Sequence, residues 1–118
     1  MRRECKLSLH FSQLVDGEVA IRHIRKNVLY DEIIRSFVYS CKLNNNDPNY
    51  ISFINKEYLL FMIKKYNGCI IRYKRKSILM NENCYNEFMQ LQNDFKNNHK
   101  LLELACFYYF NIMPPELR

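Results

Sequence analysis

The side chains in this sequence best suited to chemistry are its five cysteines and three histidines. The cysteines contain no C-x-x-C pair, and the histidines lack the spacing of a metal site. An odd number of unpaired cysteines predicts reduced thiols that pack as small hydrophobic side chains. Cys69, beside Gly68, is the best candidate nucleophile, yet no base stands in a recognisable pattern with it. We therefore predict a protein that is not an enzyme and uses no cofactor.

Positive charge is the second chemical feature of the sequence. The formal net charge is +6, and two short basic runs contribute to it, Ile21–Lys26 and Arg72–Ser77. Their cations could contact phosphates, and Tyr73 could stack on a base. The same runs are also typical of a solvated surface, so nucleic-acid binding stays an alternative. Only two glycines occur in the chain, which excludes Walker-type and Rossmann-type phosphate loops.

The elements that position these groups are predicted from periodicity and turn residues within one domain of 118 residues. Leu7–Val15 and Glu18–Arg25 alternate in polarity around Asp16-Gly17, which predicts a β-hairpin. Tyr50–Phe53 is predicted to be a third, short strand, and Lys42–Asn49 a loop. Cys69–Ser77 is left open between strand and helix. Helices are predicted over Leu29–Cys41, Lys56–Asn67, Glu82–Asn93 and His99–Ile112.

Two of the predicted helices are apolar on more than one side. For Lys56–Asn67 this breadth predicts a largely buried helix. The segment Leu101–Met113 is too short to span a membrane and is interrupted by Glu103. Its second face either belongs to the core or waits for another chain, and both alternatives stay open. The N-terminus lacks the apolar region of a signal peptide, which predicts an intracellular, non-membrane protein.

Three stretches resemble the BTB/POZ domain, in particular its elongin C and Skp-type adaptor branch. Asp16–Val38 is similar to the turn, second strand and first helix of the branch. Tyr50–Tyr73 is similar to its third strand and following helix, and Leu101–Ile112 to its leucine-rich last helix. The resemblance implies an α+β fold, with a three-stranded sheet formed by the hairpin and one short strand, packed against four to five helices. The basic charge departs from the acidic members of this branch.

The resemblance also implies a function, as a non-catalytic adaptor subunit of a cullin-RING ubiquitin ligase in the cytoplasm or nucleus. A helix of a substrate receptor, of the BC-box or F-box type, would dock in an apolar pocket at the C-terminal helix. Other surfaces would bind a cullin and an elongin B-like ubiquitin-fold protein. A self-associating BTB-type domain is a further alternative. The expected partner-binding residues are Tyr66, Phe88, Leu104, Tyr108, Tyr109 and Ile112.

Overall fold

The computed structural model describes residues 2–94 and 101–117, and this part of the chain is α+β as predicted. Its strands and helices are β1 (Arg2–Ser8), α1 (Leu9–Arg22), α2 (Lys26–Leu43), α3 (Pro48–Tyr66), β2 (Tyr73–Leu79), α4 (Glu82–Asp94) and α5 (Leu101–Phe107). A π-helical turn, Tyr108–Ile112, continues α5, and a short 3₁₀ turn, Pro115–Leu117, follows. The predicted helices over 29–41 and 82–93 are confirmed as α2 and α4. The last predicted helix is confirmed from Leu101 onward, and its first residues lie outside the described ranges.

The predicted N-terminal hairpin is wrong, because residues 9–22 form a single helix. The Ser8 side chain caps α1 by accepting a hydrogen bond from the backbone N–H of Phe11, at 3.4 Å. Phe11 and Val15, four positions apart, are both buried, as helical spacing requires. Gly17 has open space around it and an ordinary φ, so the helix passes through it at a cost of about 1 kcal/mol.

The predicted third strand is also wrong, since Tyr50–Phe53 lies inside α3. This helix begins at Pro48, eight residues before the predicted start at Lys56. Asp47 caps it by accepting a hydrogen bond from the backbone N–H of Asn49, at 2.9 Å. Proline suits the first turn of a helix because its missing N–H has no helical partner there. The dipeptide Asp47-Pro48 is therefore a helix start.

The sheet in the described residues has two antiparallel strands, β1 and β2, in place of the predicted three. Arg2 lies opposite Leu79 and Ser8 lies opposite Tyr73. The ambiguous segment that follows α3 is therefore a strand over Tyr73–Leu79. The sheet thus joins two segments that are distant in sequence, one before α1 and one after α3.

The core forms where α2 and α5 pack against the other elements. The apolar face predicted for α2 is confirmed, and its buried residues include Leu29, Ile33, Ile34, Phe37 and Cys41. Every residue of α5 is buried, and this helix contacts β1, α1, α2 and α3. The C-terminal segment is thus the centre around which the other elements are arranged.

Candidate functional site

The apolar C-terminal segment that was predicted to bind a partner lies inside the protein. Leu104 in α5 and Tyr109 in the π-helical turn are buried. Tyr108 and Ile112 are half-buried and pack against the core. The ring of Tyr108 contacts that of Phe37 in α2, with their centroids 6.1 Å apart. Of the two alternatives for this segment, the structure favours the core.

The other two predicted contact residues lie on different elements. Phe88 is fully buried in α4, and Tyr66 is half-buried at the end of α3. Burial raises the pKa of Tyr66, against the smaller opposing effect of the nearby His10 backbone in α1. Tyr66 thus borders α1 while Tyr108 borders α2. The structure does not bring the six predicted residues together on one surface.

A buried carboxylate holds α5 in the interior. Glu103 is fully buried and accepts hydrogen bonds from the backbone N–H of Ser8 and from the hydroxyl of Tyr58, each at 2.8 Å. Burial, the neighbouring Tyr73 hydroxyl and the Glu103 carboxylate raise the pKa of Tyr58 well above its usual range. The Tyr58 hydroxyl therefore keeps its proton and acts as the donor. These bonds join α5 to the start of α1 and to α3.

A second polar cluster holds the π-helical turn. Arg22 donates to Glu32 from both terminal guanidinium nitrogens, Nη1 and Nη2, at 2.6 and 3.2 Å, and the Tyr109 hydroxyl donates a hydrogen bond to the same carboxylate at 2.6 Å. The bond from Arg22 lowers the pKa of Glu32, against the opposing effect of partial burial. Burial and the bond to the Glu32 carboxylate raise the pKa of Tyr109 to about 12. Tyr109 is therefore a structural residue, fixed to α1 and α2.

An exposed apolar surface lies on α3. Phe53, Leu59, Leu60 and Ile63 are between 44 and 67% exposed. Phe53, Leu60 and Ile63 are seven and three positions apart and lie along one side of the helix, and Leu59, four positions before Ile63, lies at the edge of that side. We call these four residues the α3 stripe. Tyr66 follows Ile63 by three positions and borders the stripe, which makes it the one predicted contact residue on this surface.

The expectation that this helix is largely buried is wrong, because α3 buries one side only. Its buried residues recur at three- and four-residue steps and are Ile51, Ile54, Tyr58 and Met62. That spacing was readable in the sequence and leaves positions 53, 60 and 63 on the opposite side. Lys56, also exposed, lies within the stripe between Phe53 and Leu60, Lys64 lies at its edge, and no ion pair joins either to a carboxylate in the described part of the chain.

A cleft of about 290 Å³ opens near the C-terminal end of α3. Its lining residues are Leu9, His10, Gln13, Lys65, Tyr66, Ile70 and Arg72. Burial and the nearby Lys65 lower the pKa of His10, so the imidazole is neutral at pH 7. Lys65 and Arg72 are therefore the positive groups of this cleft.

The thiols behave as the sequence predicted, with one exposed exception. Burial raises the pKa of Cys41 to about 12 and that of Cys84 to about 11, and it raises the pKa of Cys106 well above the ordinary value. These three thiols stay protonated and pack as hydrophobic side chains. Cys69 is exposed. Within residues 2–94 and 101–117, no group of three or more His, Cys, Asp or Glu side chains is placed to hold a metal ion.

Comparison with known proteins returns no relative of this chain. No protein-family model, no curated protein and no solved structure matches it. Among the described helices, none is both long and apolar enough to cross a membrane. With no relative to indicate a function, the α3 stripe is the structural feature that best indicates one.

Proposed function

We propose that this chain is a non-catalytic adaptor that binds a helix of another protein on the α3 stripe. The observation that carries the proposal is the exposure of four large apolar side chains on the outer side of one helix. Contiguous exposed apolar surface marks interaction sites. Apolar anchors at helical spacing are typical of helix-mediated recognition. Tyr66 adds, at the edge, an aromatic ring with a polar tip, a residue type enriched at interfaces.

The partner that fits this surface is an amphipathic helix with an apolar ridge flanked by carboxylates. The stripe runs from Phe53 to Ile63, which is about 15 Å along the axis of α3, or roughly three turns. Lys56 and Lys64 would face acidic residues beside the ridge of the partner. Such charge pairs at the rim set orientation and raise the association rate, while the buried apolar contacts supply most of the affinity.

The sequence resemblance to the elongin C and Skp-type branch, of which the structure keeps predicted helices but not the hairpin or the third strand, leads to a finer proposal. The bound helix would belong to a substrate receptor, of the BC-box or F-box type, and further surfaces would meet a cullin and an elongin B-like protein. The complex would work in the cytoplasm or nucleus as part of a ubiquitin ligase. The resemblance implied a receptor-binding site on the C-terminal segment, whereas we propose one on α3. Of the residues predicted from sequence, Tyr66 remains part of the proposed site.

Affinity purification with matched variants tests the proposal. The wild-type chain, Leu60→Asp with Ile63→Asp, and the control Ile21→Asp are each used as bait in extract from cells that express the chain. Ile21 is a suitable control because it is a highly exposed isoleucine on a different helix, α1. Quantitative mass spectrometry then compares the retained proteins. We expect a partner that wild type and Ile21→Asp retain and that the α3 double variant loses at least tenfold, since several apolar anchors are removed together.

The outcomes separate the adaptor from its alternatives. Loss of a cullin and an elongin B-like protein together with the partner would support the finer proposal. Equal retention of every protein by the three baits would overturn the α3 assignment. If light scattering shows a wild-type homodimer that the α3 double variant converts to monomer, the stripe is instead a self-association surface. Circular dichroism confirms that each bait is folded.

A further inference from the structure

The outer face of the two-stranded sheet carries a positive surface that is separate from the α3 stripe. Side chains alternate between the two faces of a strand, and residues opposite each other share a face. Leu7 and Ile78 therefore point to the core side, where both are fully buried. The opposite face carries Lys6, Tyr73 and Arg75, all of them exposed.

The charges on this sheet are arranged unfavourably for an isolated protein. Lys6 lies directly opposite Arg75, and like charges in a cross-strand pair destabilise a sheet. Arg72, also exposed, lies immediately before β2, whereas the exposed Lys74 lies opposite Leu7 and so belongs to the other face of the sheet. Glu4 is the carboxylate on the same outer face. None of these cations forms an ion pair with any residue in the described ranges. A bound polyanion would relieve this repulsion.

The other basic run in the sequence provides a contrast. Arg22 is bound to Glu32, and Lys26 lies 2.9 Å from Asp16. These cations are neutralised by neighbours within the fold. The cations of the sheet and of the adjacent cleft, where Lys65 stands, have no such neighbour in the described ranges.

Tyr73 gives the positive surface an aromatic ring held in one place. Tyr73 is 38% exposed, and its hydroxyl oxygen lies 3.4 Å from the hydroxyl oxygen of Tyr58. Tyr58 in turn donates to the buried Glu103. The polar end of Tyr73 is thus anchored to the interior. Along a strand, side chains two positions apart on one face are separated by about 7 Å, so the ring and Arg75 are neighbours on the surface.

We infer that the outer face of β1 and β2 binds single-stranded nucleic acid, with Lys6 and Arg75 on phosphates and Tyr73 stacked on a base. Cations that follow the backbone, combined with an aromatic ring for the bases, are the two components of such sites. Arg72 and Lys65 extend the path toward the cleft beside α3. A single strand fits better than a duplex, because the faces of paired bases are covered by stacking.

Fluorescence anisotropy with a labelled twelve-residue oligothymidine tests this inference on the full chain. Log Kd is measured against log salt concentration for wild type, for Lys6→Gln with Arg75→Gln, and for the control Lys56→Gln with Lys64→Gln. The control removes the same charge from exposed positions on α3. We expect the sheet variant to reduce the salt slope by about 1.4, because each phosphate contact on a single strand contributes about 0.7. The control leaves the slope within about 0.3 of the wild-type value.

Two substitutions at Tyr73 separate stacking from charge. Tyr73→Ala should weaken binding about tenfold or more with an unchanged salt slope, since a stacked base is lost and no cation is removed. Tyr73→Phe keeps the ring and should bind within about threefold of wild type.

The inference is overturned if the oligonucleotide does not bind, if the α3 control loses as much affinity as the sheet variant, or if Tyr73→Ala binds like wild type. A duplex of equal length that binds as tightly as the single strand, or binding confined to anionic phosphatidylserine vesicles, would also overturn it. None of these results bears on the α3 stripe, so failure here leaves the adaptor proposal intact.

Discussion

Two helices of this protein look alike in sequence and end in opposite environments. Both α3 and the C-terminal segment are apolar on more than one side. In the structure α5 is buried over its whole length, including Glu103, whereas α3 leaves four large apolar residues at the surface. From sequence, α3 was expected to be buried, and the second face of the C-terminal segment was left open between the core and a partner, which the family resemblance implied. The structure overturns the first expectation and, for the C-terminal segment, favours the core.

The difference between the helices lies in their neighbours. α5 is surrounded by β1, α1, α2 and α3, which leaves no side open. α3 packs with one side on α5, and no other element in the described ranges covers its outer side. Apolar periodicity therefore indicates how much surface a helix can bury. It does not indicate whether the same chain supplies the cover.

The largest expected effect comes from making the same substitution in both helices. Leu104→Ala should lower the free energy of unfolding by about 3 kcal/mol, because it leaves a cavity in a close-packed core. Leu60→Ala should change it by less than about 0.5 kcal/mol, because Leu60 is half exposed. Urea unfolding followed by circular dichroism measures both values. Equal losses in the two variants would contradict the contrast between the helices.

A smaller effect is expected from the carboxylate that holds α5 in place. Glu103→Gln keeps the shape of the side chain but replaces one acceptor oxygen with a donor group. The Gln oxygen can still accept from the Ser8 N–H, but the NH₂ group then faces the Tyr58 hydroxyl, which loses its charged acceptor in a buried site. We expect a loss of about 2 kcal/mol in the free energy of unfolding. The exposed Glu82→Gln serves as the control, and a similar small change in both variants would argue against a structural role for Glu103.

The smallest expected effect is a pH dependence at the junction of α1, α2 and the π-helical turn. The pKa of Glu32 is lowered in the folded state from its ordinary value of 4.5 by the bond from Arg22. Its contribution to stability is therefore present above pH 4.5 and is lost as the pH falls through the lower, folded-state pKa. Because this pair is partly exposed, solvent screening keeps the contribution modest.

The melting temperatures of wild type and Glu32→Gln test this dependence. We expect the advantage of wild type at pH 7 to shrink at pH 3, which lies below the ordinary pKa of 4.5 at which the unfolded chain takes up its proton. Arg35→Gln is compared with Glu32→Gln, because it removes a different ion pair of α2, the one between Arg35 and Asp31. An advantage that is constant from pH 7 to pH 3 would mean that the ionised Glu32 adds nothing to stability.

The parts of the fold that sequence predicted correctly have a single dominant signal. The face of α2 repeats at helical steps over thirteen predicted positions, and α4 and α5 show similar spacing. The N-terminal region carried two competing signals. Leu7, Leu9 and Phe11 alternate as in a strand, whereas Ser8, Phe11 and Val15 fit a capped helix, and Asp16-Gly17 tipped the prediction toward a hairpin. Tertiary packing of Phe11 and Val15 decided for the helix.

The pairing of β1 with β2 lay beyond local reasoning, because its hydrogen bonds join residues such as Arg2 and Leu79. No turn marks such a pair. The two candidate surfaces, on the sheet and on α3, were likewise only partly predictable from sequence. The cations of β2 were visible in the sequence, but their cross-strand partner Lys6 was not. Packing decided which side of α3 faces outward. Of the residues on this surface, only Tyr66, at the border of the stripe, was predicted from sequence as a contact residue.

The hydrogen bond from Ser8 to Glu103 also constrains the order in which the protein can fold. It joins residues 95 positions apart, and β1 likewise has no partner strand until residue 79 has been synthesised. A nascent chain on the ribosome can form α1 and α2 early from local contacts, but it lacks the helix that fills their shared core. Until residues 101–113 emerge, Leu7, Phe11 and Phe37 stay partly uncovered and available to chaperones. Completion of this fold therefore waits until residues 101–113 have been synthesised.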